Sequence, residues 1–283
     1  MIARTVLTFA GLTVREASRR RVLRALAGLT LVLLALSAFG FSRIEAEYGA
    51  ALTTGEARLA ASTVLNLVMF GLSLIAALGT AFLAGPVLAG EIESGMALAV
   101  LARPVRRPAV LVGKWLGLVA FGGGFVVIAG LAQFAVVWAT VGYWPPDPAG
   151  GLALLAAQTT VLLTLGLLLS TMISPMASGI VAVGLFGATW IAGVVGSVGE
   201  ALDNESVARV GDVSRMLLPT DGLWRGAMHA FQDPGLLATL SDEFDSHPFL
   251  SLSPLTAAYI AWAVLWIALM LALAGLAFAR RDL

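Results

Sequence analysis

The chain contains no cysteine, which excludes disulfides, thiolate metal sites and cysteine nucleophiles. Charge is scarce as well: 12% of the 283 residues are charged, against about 25% in a soluble domain. Hydrophobic residues make up 59%. No soluble fold of this length buries so large an apolar share, so the natural solvent is lipid. Also missing is the alternation of polar and apolar residues, in runs of about ten, that a transmembrane barrel needs. Helices remain, because backbone groups in hydrocarbon must be satisfied within their own segment.

Six apolar runs are long enough to cross about 30 Å of hydrocarbon. They lie near 24–42, 64–88, 110–142, 151–172, 176–198 and 255–279. The third exceeds one crossing, which predicts that Lys114 and Trp115 lie at the interface. Arg15, Arg19, Arg20, Arg21 and Arg24 precede the first run. That run is too long for the core of a cleavable signal, so the first span is expected in the mature protein.

The formal net charge is zero, but the charges are segregated. The N-terminal segment, 89–114, 173–175 and the C-terminus hold twelve bases and four acids. The segments 43–63, 143–150 and 199–254 hold five bases and thirteen acids. Bases in short loops mark the cytoplasmic side, so both termini are expected inside the cell membrane. An odd number of spans would undo this segregation.

Within the six runs there is no Asp, Glu, Lys or Arg except at the ends. Proton-coupled carriers, ion pumps and intramembrane proteases keep such groups in the bilayer, so these classes are disfavoured. The polar residues in the runs are neutral: Asn66, Gln133, Gln158, Thr159, Thr160, Thr164 and Thr189. One reading makes them hydrogen-bond glue between helices. The other has Asn66, Gln133, Gln158 and Thr159 lining a translocation path. Gly122, Gly123 and Gly124 mark a kink or a point of close helix packing. Tyr143, Trp144, Tyr259, Trp262 and Trp115 occupy aromatic-belt positions, and anchoring is their expected role.

The most varied charge cluster is "GEIESGMALAVLARPVRRPAVLVGKWLG", residues 90–117, between the second and third runs. Ser94 is placed to cap a short helix with an apolar surface of Met96, Leu98, Val100 and Leu101. Arg103 and Pro104 end it, and Pro108 suits the first turn of the next helix. An interfacial helix among anionic headgroups is one reading. Glu91 and Glu93 fit that poorly, since anionic lipid repels them. They fit a docking element on a soluble partner better, one that transmits motion to both flanking spans.

These residues resemble the cytoplasmic loop of type 2 ABC-transporter permeases. There an acidic pair and a glycine precede a short leucine-rich helix, an Arg-Pro turn, and a Gly-Lys leading into the third span. The matching positions are Glu91, Glu93, Gly95, Leu98, Leu101, Arg103, Pro104, Gly113 and Lys114; Met96 stands where the family often has threonine. "TVREASRRRVL" (13–23) is similar to the family's interfacial elbow helix, and "FARRDL" (278–283) to its common ending. The permease type that serves nitrous-oxide-reductase maturation has a comparable loop before its sixth span.

The resemblance implies one permease domain over 1–283: an all-α membrane protein with an elbow helix, six spans and a cytoplasmic coupling helix near 94–102. A large extracytoplasmic loop, 199–254, precedes the last span. It further implies that this chain is no enzyme and binds no cofactor. ATP and Mg belong to a separate cytoplasmic ATPase present in two copies. A second permease completes the path, and export is the expected direction. Nucleic acid is not an expected partner. Accordingly "LVGKWLG" lacks the glycine spacing and the Ser or Thr of a phosphate-binding loop.

The segment 199–254 holds nine acids, three bases and both histidines. Leu217, Trp224, Met228 and Phe231 are expected to face the membrane surface from short helices broken at Pro219 and Gly222. The length of the loop suits an extracytoplasmic partner. His229 and His247, near Asp242, Glu243 and Asp245, match no strong metal spacing and read as surface residues. The alternative function is a membrane scaffold or assembly protein whose charged inner loop docks a partner other than an ATPase.

Overall fold

The computed structural model describes residues 2–48, 55–93, 107–233 and 249–280. Among them are nine helices and no strand: α1 (Ile2–Arg19), α2 (Arg21–Tyr48), α3 (Gly55–Glu93), α4 (Arg107–Val141), α5 (Pro148–Ser170), α6 (Pro175–Ala201), α7 (Glu205–Leu217), α8 (Thr220–Phe231) and α9 (Ala257–Arg280). Six of them, α2 to α6 and α9, are long and apolar enough to cross a membrane. Each of the six expected apolar runs falls on one of these helices, α3 starting nine residues before its run. Neighbouring spans alternate in direction, giving the bundle an arginine-rich end and an acidic end.

Local chemistry sets the boundaries. Asp147 caps α5 by accepting from the Gly150 amide at 2.8 Å, with Pro148 in the first turn. Asn204 caps α7 through the Val207 amide at 3.3 Å. Gly142 ends α4 with φ of 67°, a left-handed stop. The turn between α6 and α7 is only three residues long. Its middle residue, Asp203, has φ of 50°, a conformation short polar side chains tolerate.

That turn folds α7 back along α6. The two backbones meet at glycines: a Cβ on Gly196 would stand 2.7 Å from the Cα of Gly211. The helices α3 and α5 form the buried centre, and α2 and α9 expose most of their surface. The main core joins Phe41, Met69, Phe134, Trp224, Met228 and Phe231 at the acidic end. A second core around Leu88, Leu111, Leu118, Leu163 and Phe278 fills the arginine-rich end.

The outer segment departs from expectation. Leu217 is exposed, but Trp224, Met228 and Phe231 are buried in the main core rather than turned to the membrane surface. The break falls at Pro219, and Gly222 lies inside α8. The cause is steric: α8 lies across the end of α5, where the Phe231 ring occupies the space a Cβ on Gly151 would take. The helix is therefore a plug between the spans, buried on nearly every side with Asp221 among its buried residues.

Four of the five aromatic residues expected as belt anchors donate to partners within the chain. The last carbonyls of a helix have no intrahelical donors. For α7 those of Arg215, Met216 and Leu217 accept from Tyr259 Oη at 2.9 Å, Trp262 Nε1 at 3.2 Å and Trp266 Nε1 at 2.8 Å. These donors are spaced three and four residues apart on α9, so one face of that helix caps the end of α7. Tyr143 is buried likewise and donates to the Phe231 carbonyl at 2.7 Å. Burial, with Asp233 adding and Arg58 opposing, holds its hydroxyl above the ordinary phenol range, so it stays a donor. Trp115 donates to Thr164 Oγ1 at 2.8 Å, whereas Trp144 is exposed and fits a belt position. Removing a donor tests the capping role. Trp266→Phe strips the Leu217 carbonyl and is expected to cost about 1–3 kcal/mol in thermal unfolding. Trp262→Phe, at a more exposed site, is expected to cost less.

Candidate functional site

At the arginine-rich end, Glu91 and Glu93 belong to the last turn of α3. Gly95, Met96, Leu98, Leu101, Arg103 and Pro104 lie outside the described residues. Both flanks of this segment are tied into the bundle. Lys114 was expected at the interface; it is 4% exposed, and its Nζ donates to the Val87 carbonyl of α3 at 2.8 Å. A buried ammonium needs such an acceptor, and the late turns of α3 supply one of matching polarity. Arg107 Nη1 donates to the Phe278 and Ala279 carbonyls at 3.3 and 3.1 Å, capping the end of α9.

The amphipathic α1 lies across the first turns of α4. Gly113 and Gly117 admit it: their missing Cβ atoms would stand 2.7 and 2.6 Å from the carbonyls of Val6 and Ala10. Thr13 and Ala17 are buried on that seam, while Arg4, Arg15 and Arg19 are exposed on the other side. On α3, Gly85 leaves room for the Pro175 carbonyl of α6, where a Cβ would come within 2.3 Å. The late turns of α3 before the charged loop thus touch α6, the first turns of α4 after it touch α1 and α9, and Lys114 joins α4 to α3.

Of the neutral polar residues of the spans, all but the half-buried Thr160 are buried inside the single chain. Asn66 Nδ2 donates to the Phe249 carbonyl at 2.8 Å. Gln133 of α4 donates to Ser37 of α2. Gln158 is the hub of a longer chain: Ser73 Oγ of α3 donates to its Oε1 at 2.8 Å, and its Nε2 donates to the Thr220 carbonyl at 3.3 Å. Thr220 meets Thr189 of α6 at 3.0 Å between hydroxyls. Thr159 donates to Leu155 of its own helix at 2.9 Å. The four residues Asn66, Gln133, Gln158 and Thr159 thus enter separate hydrogen-bond sets rather than one. Gly122 lets α4 pack against Leu163 and Thr159, and the helix runs on through all three glycines, so the triplet includes a close-packing point.

At the acidic end stands a cluster that hydropathy alone does not reveal. Asp221 of α8, its side chain 2% exposed, accepts from Arg215 Nε of α7 at 3.1 Å and Arg225 Nε of α8 at 3.0 Å. Arg225 Nη2 also donates to the Gly193 carbonyl at 2.9 Å and Ser197 Oγ at 2.7 Å, both on α6. The cluster thus joins α6, α7 and α8. Its sequence signal is the Asp221–Arg225 pair, four residues apart on a short helix. Nearby, His229 is half-buried, and its Nδ1 donates to the Ser251 carbonyl at 3.0 Å. His247, Asp242, Glu243 and Asp245 fall outside the described residues.

Six helices long and apolar enough to cross a membrane define a multi-pass membrane protein. A family model described as ABC-2 family transporter protein matches residues 15–283, and the chain belongs to that family. It is a membrane permease subunit of an ABC transporter. No curated protein matches the chain.

Proposed function

We propose that this permease is the moving half of an exporter in the cell membrane, with both termini in the cytoplasm. Two copies of a separate ATPase bind and hydrolyse ATP with Mg. A second permease, identical or related, completes the translocation path. Residues near 94–102 form the coupling helix, with Glu91, Glu93, Gly95, Met96, Leu98, Leu101, Arg103 and Pro104 as its working surface. The basic α1 lies at the inner headgroup level, where its arginines meet anionic lipid. The outer segment, 199–254, offers a surface to an extracytoplasmic partner.

The observation that carries this reading is the clamp on both sides of the loop. Lys114 links the start of α4 to Val87 of α3, and Arg107 links it to the end of α9. A load applied between residues 93 and 107 therefore reaches three spans at once, as a lever requires. A scaffold loop that only docks a partner has no need of such ties.

Co-purification with a candidate cytoplasmic ABC ATPase tests it. Glu91→Arg and Leu98→Asp are each expected to lower ATPase recovery by about tenfold, the loss of roughly 1.4 kcal/mol at the docking surface. Substrate-stimulated hydrolysis is expected to fall with it. Intact association and stimulation in both variants would assign the loop another partner.

A further inference from the structure

The ion cluster at the acidic end carries more positive charge than its buried part neutralises. Two guanidiniums, 17% and 19% exposed, share the single buried carboxylate of Asp221. The other acids are weak partners. Glu200 stands 3.9 Å from Arg215 with its side chain 47% exposed, and Asp212 stands at 3.4 Å and is more exposed still. Water screens both.

Donors are also left over. Arg225 uses Nε and Nη2, and Arg215 uses Nε and Nη1. The remaining terminal nitrogens, Nη1 of Arg225 and Nη2 of Arg215, make no hydrogen bond among the described residues. Both arginines line a cavity of about 310 Å³ between the end of α6, the face of α8 and the segment leading into α9. Ligand sites span about 300–1,000 Å³. The opposite wall brings the Ser251, Ser253 and Thr256 segment, with Leu252 and Leu255 as apolar neighbours. Tyr259 closes the side nearest the first turn of α9, the last of the helices long and apolar enough to cross a membrane.

We infer that this cavity binds a phosphate-type oxyanion between Arg215 and Arg225. Guanidinium N–H groups match the oxygens of a phosphate in pairs, and such charge-assisted bonds are strongest where water is largely excluded. The guanidinium donors that Asp221 leaves unused supply the attraction, and the wall of Ser251, Ser253 and Thr256 adds hydroxyls. The phosphate is either a free ion or the headgroup of a phospholipid whose chains follow the apolar wall. In both cases Glu200, lining the same cavity, opposes the anion.

Purified full-length permease in detergent tests the site. Its unfolding midpoint is followed against inorganic phosphate, with sodium chloride at matched ionic strength beside it. Native mass spectrometry measures retained phospholipid before and after phosphate is added. A saturable stabilisation by phosphate beyond that of chloride, with no retained lipid, identifies a free ion. Retained phospholipid that phosphate releases identifies the headgroup. Arg215 and Arg225 also hold the fold, so the decisive variant is Glu200→Gln at the half-exposed rim. It is expected to lower the half-saturating or half-releasing phosphate concentration by about fivefold. Stabilisation that follows ionic strength alone without lipid release, or a Glu200→Gln curve matching that of the parent, overturns the assignment.

Discussion

Asp221→Asn is expected to destabilise the permease by about 3 kcal/mol, the low end of what breaking a buried ion pair costs. Asp221 is the common acceptor of Arg215 and Arg225, and those arginines hold α7 and α8 against α6. Asparagine keeps the volume but removes the charge, leaving two partly buried guanidiniums facing each other. The arginines keep some contact with water, which places the effect at the low end. Thermal unfolding in detergent, followed by tryptophan fluorescence, reads it, because Trp224 sits in the same helix, fully packed. Adding Arg215→Gln to Asp221→Asn should recover part of the loss, since one of the stranded charges is then gone. A single variant within about 0.5 kcal/mol of the parent, the range of ordinary surface changes, would mean the cluster does not hold the three helices together.

Gly113→Leu is expected to lift α1 from α4. Even a Cβ at that position would stand 2.7 Å from both the Val6 carbonyl and the Phe9 Cβ. Backbone cannot yield as a flexible side chain can, so α1 must move, at a cost of about 1–3 kcal/mol. The absence of cysteine makes the displacement directly readable. A thiol introduced as Thr13→Cys replaces a side chain that is 5% exposed on the seam. Its maleimide labelling is expected to rise about tenfold in the Gly113→Leu background, as a shift of roughly 1.4 kcal/mol in docking gives. Gly124 is the matched control. It lies in the same helix with no atom within 4 Å of its missing Cβ. Gly124→Ala should leave labelling unchanged and stabilise α4 by about 0.5–1 kcal/mol. Unchanged protection in Gly113→Leu would show that α1 is held elsewhere.

Both predictions concern contacts invisible to hydropathy, and the contrast with what was legible is instructive. The spans were legible because crossing hydrocarbon imposes a length and a composition on each helix separately. The third span runs through its glycine triplet unbroken, as its neighbours in the bundle permit. Pro148, Pro175 and Pro219 mark helix starts or turns from local chemistry alone. Trp224, Met228 and Phe231 were misjudged because apolar spacing on a short helix states that a face is buried, not against what. Lipid and the inside of a bundle are alike to that pattern. The aromatic residues pose the same ambiguity: Tyr259 and Trp262 suit a headgroup boundary, but the open carbonyls of α7 claim their donors, as they claim that of Trp266.

The sequence by itself determined the solvent, the six crossings, the segregation of charge and the family resemblance, since each follows from composition or from residues close along the chain. Only the tertiary structure decided that Lys114 reaches Val87, that α8 plugs the bundle, and that two arginines share one aspartate beside an open cavity. Such contacts join residues from separate helices, and their geometry depends on how closely glycine lets backbones approach and which carbonyls a helix end leaves bare. Neither is encoded in the hydrophobicity of any one segment.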